Sequence, residues 1–125
     1  MIKKLAFLEI VVSDFPRALD WYTKIMGFEV DGKEIENESG RWCQLKTQSG
    51  DNRLALWKPN WTPGQEKALY SFIPVFEVDN LEQLVACLKA KKVLFLEGIR
   101  QMPSYRITTI LDPERNRLQL FEPIP

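Results

Sequence analysis

Asn52-Arg53-Leu54-Ala55-Leu56-Trp57-Lys58-Pro59 returns sixty-four residues later as Asn116-Arg117-Leu118-Gln119-Leu120-Phe121-Glu122-Pro123, with five of eight positions identical and Trp exchanged for Phe at a sixth. Sixty-four is about half of the 125-residue chain. An echo at a fixed period is the mark of one structural unit built twice. Each half, at roughly 60 residues, is marginal as an independent domain. One domain made of two modules, 1–64 and 65–125, is therefore expected, with function in the cleft that paired modules make.

Outward from the echo, the two halves repeat one order. Residues 5–12 are rich in β-branched and aromatic types and read as a strand. Asp14 reads as an N-cap with Pro16 in the first turn, and Phe15, Ala18, Leu19, Tyr22, Ile25 and Met26 recur at helical spacing up to Gly27. Residues 28–35, 41–47 and 53–58 read as three further strands. The cluster Pro59-Asn60-Trp61-Thr62-Pro63-Gly64 marks the joint. In the second half the strand 70–78 precedes a helix capped by Asn80, with Gln83 at capping-box spacing. Strands 93–97, 105–111 and 117–122 follow, the last two joined by the turn Asp112-Pro113-Glu114-Arg115-Asn116. The predicted class is α+β, two tandem βαβββ modules.

Strand alternation assigns residues to two faces. Leu8, Ile10, Val12, Cys43, Leu45, Leu54, Leu56, Phe72, Phe76, Val78, Ile107, Thr109, Leu118 and Leu120 are expected under the helices. The opposite face then carries Phe7, Glu9, Trp42, Gln44, Trp57, Ile73, Arg106, Thr108, Gln119 and Phe121. Large aromatics mixed with isolated polar groups fit a small-molecule site or a surface covered by a second subunit. Glu9 is expected to pair with Arg106 or to hydrogen-bond a ligand. Glu122 and Lys58 are expected to be solvated. Trp61 and the loop Met102-Pro103-Ser104 are candidate gates.

Composition excludes several classes. Seventeen basic and seventeen acidic residues cancel, so no basic field is present for nucleic acid. No apolar run reaches the roughly 20 residues of a membrane span, and no signal-peptide pattern is legible in Met1–Asp14. Cys43 and Cys87 form neither a metal spacing nor a disulfide framework, and a cytoplasmic protein with reduced thiols is expected. The chain contains no histidine. That removes the commonest metal ligand and general base, and with it every Ser-His or Cys-His pair.

The stretch Glu9-Ile-Val-Val-Ser-Asp14-Phe-Pro-Arg-Ala-Leu-Asp-Trp21-Tyr22-Thr-Lys-Ile-Met-Gly27-Phe28 resembles the opening of the vicinal oxygen chelate superfamily, and Asp112–Pro123 resembles its final turn and strand. That group includes glyoxalase I, bleomycin-resistance proteins and extradiol dioxygenases. The resemblance implies two modules whose sheets curl into a cup-shaped mixed sheet, and a homodimer. It also implies one metal ligand from the first and fourth strand of each module. Those places hold Phe7, Ala55, Ile73 and Gln119, none of which supplies an anionic or imidazole donor.

The sequence thus points to a metal-free protein that holds a flat or amphipathic small molecule in an aromatic cup. Trp42, Trp57 and Phe121 would stack on it, and Glu9, Gln44, Arg106 and Gln119 would orient it, with Phe7, Ile73 and Thr108 also at the site. The alternative is an atypical lyase, isomerase or dioxygenase-like enzyme. It would use Glu9 as base, or a divalent ion held by Glu9, Glu77 and Gln119. A regulatory dimer without a ligand is the third reading.

Overall fold

The computed structural model describes Met1, residues 6–60 and residues 73–125. Module one contains β1 (Leu8–Val11), α1 (Phe15–Asp20), a π-helical turn (Trp21–Ile25), β2 (Glu29–Val30), β3 (Ile35–Asn37), β4 (Gly40–Lys46) and β5 (Arg53–Pro59). Module two contains β6 (Val75–Glu77), α2 (Leu81–Ala90), β7 (Leu94–Phe95), β8 (Arg100–Gln101), β9 (Tyr105–Leu111) and β10 (Arg117–Pro123). The chain divides into two compact units, Met1–Ala68 and Leu69–Pro125. Each unit holds one mixed sheet, ordered β1-β5-β4-β2 with β3 also on β4, and β6-β10-β9-β7 with β8 also on β9. In both, the first strand lies parallel to the last and the remaining ladders are antiparallel. The βαβββ unit expected from the echo therefore forms twice, on one plan. The joint expected at residue 64, and Trp61 within it, lie outside the described residues.

Local chemistry explains the helices. The Asp14 carboxylate accepts the Arg17 N–H at 3.2 Å, and Pro16 sits in the first turn, where an N–H would have no helical partner. The helix does not run unbroken to Gly27. It widens at Trp21, where the Met26 N–H donates to the Trp21 carbonyl at 3.1 Å. The wider turn puts two sequence neighbours, Trp21 and Tyr22, into the core, their rings edge-to-face at 4.9 Å. Gly27 then ends the segment at φ +82°, a left-handed conformation that costs glycine little. At α2 the Asn80 side chain accepts the Gln83 N–H at 3.1 Å, and Leu81, Val85 and Leu88 face inward.

The helices cover the aliphatic faces. In module one α1 packs on β5, burying Ile10, Val12, Phe15, Cys43, Leu45, Leu54 and Leu56. In module two α2 packs on β10 above Leu118 and Leu120. Each such leucine contributes about 1.5–3 kcal/mol through apolar burial. Two strand expectations need correction. Residues 28–35 are not one strand, because Gly32 at φ +89° separates β2 from β3. Residues 93–97 yield only the two-residue β7, and Arg100–Gln101 add the separate β8. The first strand is confined to Leu8–Val11, and the strand expected over 70–78 is Val75–Glu77, residues 70–72 lying outside the description.

Candidate functional site

Register fixes the faces, because residues directly opposite in a ladder point the same way. In module one Trp42 lies opposite Trp57 and Gln44 opposite Ala55, while Glu9 lies beside Ala55 and Val11 beside Trp57. Glu9, Ala55 and Gln44 thus form one row on the face turned away from α1, with the two tryptophans in the next row. Phe7 completes the patch, its ring meeting Trp42 edge-on at 5.8 Å. Strands β1 and β4 are separated by β5, so this ring pair closes over β5. Ala55, between Glu9 and Gln44, is fully buried. A small side chain there leaves the room the rings need.

A polar network orders one end of this face. Gln44 Nε2 donates to Asp31 Oδ2 at 2.8 Å, and Asp31 is ion-paired with Arg53 at 2.6 Å. The Gln44 hydrogen bond, reinforced by Arg53 and Lys46, holds the Asp31 carboxyl below the usual aspartate range. Glu9 is exposed and has no hydrogen-bond or ion-pair partner among the described residues. On the helix side, burial pushes the Cys43 thiol up. Arg41 pairs with Glu34 and Glu36 and lies 4.5 Å over the Phe15 ring. Arg41, Lys58, Asp14 and Asn60 border a cleft of about 470 Å³ that is separate from the tryptophan face.

Module two departs from the sequence reading. Thr108 lies opposite Leu120, Ile110 opposite Leu118 and Arg106 opposite Glu122. Arg106 and Thr108 therefore share the helix-side face, and Ile107 and Thr109 take the face turned away from the helix. Arg106 donates to Gln101 at 2.8 Å and contacts Glu122 at 3.5 Å. In place of the expected Glu9 partner, Arg106 is engaged within its own module. Glu122 is not a solvated end residue either, since its carboxylate also accepts the Leu81 N–H at 3.5 Å. Thr108 is fully buried and donates to the Glu97 carbonyl at 3.1 Å.

The cause is a loop length. Between the paired ends Lys46 and Arg53 lie residues 47–52, six in all, whereas between Leu111 and Arg117 lie residues 112–116, five in all. Asp112 closes the shorter turn by accepting the Glu114 and Asn116 N–H groups, each at 2.8 Å, with Arg115 at φ +65°. One residue fewer shifts the phase of β9 against β10, and a one-residue shift reverses every side chain.

The face of module two turned away from the helix consequently carries Val75, Glu77, Tyr105, Ile107, Thr109, Gln119 and Phe121. Tyr105 and Phe121 have ring centroids 5.2 Å apart. Gln119 Nε2 donates to Thr109 Oγ1 at 3.4 Å, and Thr109 donates to Glu97 Oε2 at 2.6 Å, itself paired with Arg100 at 2.7 Å. Ile73, 38% exposed, precedes β6. Asp31, Glu97, Tyr105 and Thr109 were missing from the sequence reading. Asp31-Gly32 carries the composition of a turn, and Glu97 reads as a strand end, so neither advertises its role.

The metal positions implied by the resemblance do not fit a metal ion. Phe7 presents a ring to Trp42 and Ala55 a buried methyl. Ile73 is aliphatic, and Gln119 offers at most an amide oxygen. Among the described residues no three His, Cys, Asp or Glu side chains cluster in a metal-binding group. No described helix is long and apolar enough to cross a membrane.

This duplicated βαβββ plan has a family. The sequence model of the Glyoxalase/Bleomycin resistance protein/Dioxygenase superfamily matches residues 4–120, and the chain belongs to that superfamily. The uncharacterized protein YetH of Bacillus subtilis (strain 168) is 23% identical over 122 residues, 98% of this chain and 100% of its own. A glyoxylase/bleomycin resistance protein/dioxygenase domain from Frankia sp. EAN1pec superposes with a TM-score of 0.81 at 14% identity, covering 98% of this chain and 93% of that one. TnmS3, an antibiotic binding protein from Streptomyces sp. CB03234, superposes with a TM-score of 0.78 at 24% identity, covering 98% of this chain and 97% of its own. These structural likenesses establish the fold.

Proposed function

We propose that the chain is a metal-free binding protein that holds a flat or amphipathic small molecule on the Phe7–Trp42–Trp57 face. The observation that carries this reading is the cross-strand pair Trp42 and Trp57 beside the exposed Glu9 carboxylate. Where the resemblance implies metal donors, module one has Phe7 and Ala55. Two indole faces with a few fixed polar groups fit an aromatic ligand without any bond being broken. The antibiotic-binding function of TnmS3, on the same fold, supports it. In module two, Phe121 and Gln119, with Ile73 nearby, are the corresponding candidates, joined by Tyr105 and Thr109.

The same reading takes the protein as a cytoplasmic homodimer. Two-fold dimers are the commonest soluble oligomers, and Val75, Leu94 and Leu96, each about half exposed, would gain from a partner. Sedimentation equilibrium checks this, a monomer at micromolar concentration being the contrary result. The binding reading itself is tested by titrating the protein with planar aromatic compounds while following tryptophan emission. Saturable quenching that Trp57→Ala removes supports it. A panel that leaves the emission unchanged counts against it.

A further inference from the structure

The tryptophan face of module one presents acceptors, and this sets what it can bind. The inference rests on the ligand-binding reading of that face and names the ligand's chemical class. Gln44 donates its amide N–H to Asp31 at 2.8 Å. Asp31, ion-paired with Arg53, is a carboxylate and can only accept. The orientation of the Gln44 amide is therefore set by chemistry: its NH₂ turns to Asp31 and its carbonyl oxygen is left over. No described group donates to that oxygen. Among the described residues no buried side-chain nitrogen or oxygen lacks a partner, so the oxygen reaches solvent.

Glu9 supplies a second acceptor in the same row. Glu9 and Gln44 flank Ala55, whose methyl is buried, so a group approaching this row from solvent meets acceptor oxygens at its two ends, with Trp57 and Trp42 in the next row. A cationic N–H donor is satisfied at either oxygen and gains from the indole faces. A carboxylate there would face oxygen lone pairs on both sides. The cations of this face, Arg53 and Lys46, lie opposite each other in the row on the far side from the tryptophans. Both act on Asp31.

Module two arrives at the same polarity by a different route. Thr109 has one hydroxyl proton and gives it to Glu97, which Arg100 holds. Its oxygen is then free only to accept from Gln119, whose own carbonyl oxygen is left over. In each module an acid–arginine pair fixes a glutamine with its oxygen available.

We infer that the ligand is a flat aromatic or apolar frame carrying a protonated amine or a comparable cationic N–H donor, selected by Glu9 together with a Gln44 amide that Asp31 orients. Isothermal titration calorimetry of the full chain with naphthylmethylammonium, naphthylmethanol and naphthoate tests it. The ammonium compound is expected to bind about tenfold or more tighter than naphthoate. Glu9→Gln keeps the shape and removes the charge. It should weaken the ammonium compound about tenfold and leave the alcohol within about twofold. Asp31→Asn frees the Gln44 amide to turn and should narrow the gap between ammonium and carboxylate. Naphthoate binding as tightly as the ammonium compound would overturn the inference and leave the aromatic binding reading in place. A gap unchanged by Glu9→Gln would remove Glu9 from the selection. No binding by any of the three would sink both readings.

Discussion

Trp42 and Trp57 lie directly opposite each other across the β4–β5 ladder, so their indoles share the face turned away from α1. If this pair is the ligand platform, Trp57→Ala should weaken binding of a planar ligand by more than about 1 kcal/mol, the usual weight of an aromatic anchor. Calorimetry on wild type and Trp57→Ala checks it. Equal affinities for wild type and Trp57→Ala would move the site elsewhere.

Arg106 belongs to the other side. Its bonds run to Gln101 and Glu122. Arg106→Ala should leave ligand affinity unchanged and cost at most about 1 kcal/mol of stability, as expected for a pair partly open to water. Urea unfolding and a binding titration on the same variant separate the two effects. A large affinity loss with unchanged stability would contradict the β9 register.

Gly40 has φ +151°, and a Cβ built there would collide with the Lys58 carbonyl oxygen and stand 2.7 Å from Cη2 of Trp57. Gly40→Ala should therefore destabilise the protein by about 2 kcal/mol or more. It should also shift the tryptophan emission, because Trp57 must move. Denaturant melts with fluorescence detection read both at once.

The two thiols should differ in reactivity. Cys87 is exposed, whereas Cys43 is 1% exposed and burial pushes its thiol up. A disulfide reagent should label one thiol per native chain quickly and the second only after denaturant is added. Raising the pH moderately should not release Cys43, since its thiolate is disfavoured. Fast labelling of both thiols would show that module one opens readily.

Asp31 gives a pH signature. Its carboxyl titrates lower in the folded chain than in the unfolded one, chiefly through the Gln44 hydrogen bond. The unfolded chain therefore takes up the proton first as pH falls. The stabilisation is complete above the ordinary aspartate value of about 4 and disappears as pH drops through the lowered folded value. The stability difference between wild type and Asp31→Asn should be flat from neutral pH to about 4 and shrink below it. A difference that shrinks between pH 7 and 5 would mean another group carries it.

The residues differ in how openly they state their place. Leu54, Leu56, Leu118 and Leu120 alternate with polar or bulky neighbours, and their strands are clear in the sequence. So are the capped starts of both helices at Asp14 and Asn80. β9 offers no such signal. Tyr105-Arg-Ile-Thr-Thr-Ile-Leu111 has both faces covered, with Ile107, Thr108, Thr109 and Ile110 all buried, and a strand buried on both faces loses its alternation. Its phase is set by the length of the turn that follows it, residues 112–116, which composition does not reveal. The Asp31–Gln44 contact likewise depends on a pairing thirteen residues apart, which no local pattern encodes.

The shortened Asp112–Asn116 turn has a practical consequence for anyone redesigning the chain by borrowing from one half to furnish the other. The halves correspond at an offset of sixty-four in β10 but sixty-five in β9, as the pairings Trp42↔Trp57 and Ile107↔Phe121 show. A transplanted tryptophan platform would therefore be written Ile107→Trp with Phe121→Trp. The same graft made at Arg106 would put the indole on the helix-side face and break the Glu122 contact.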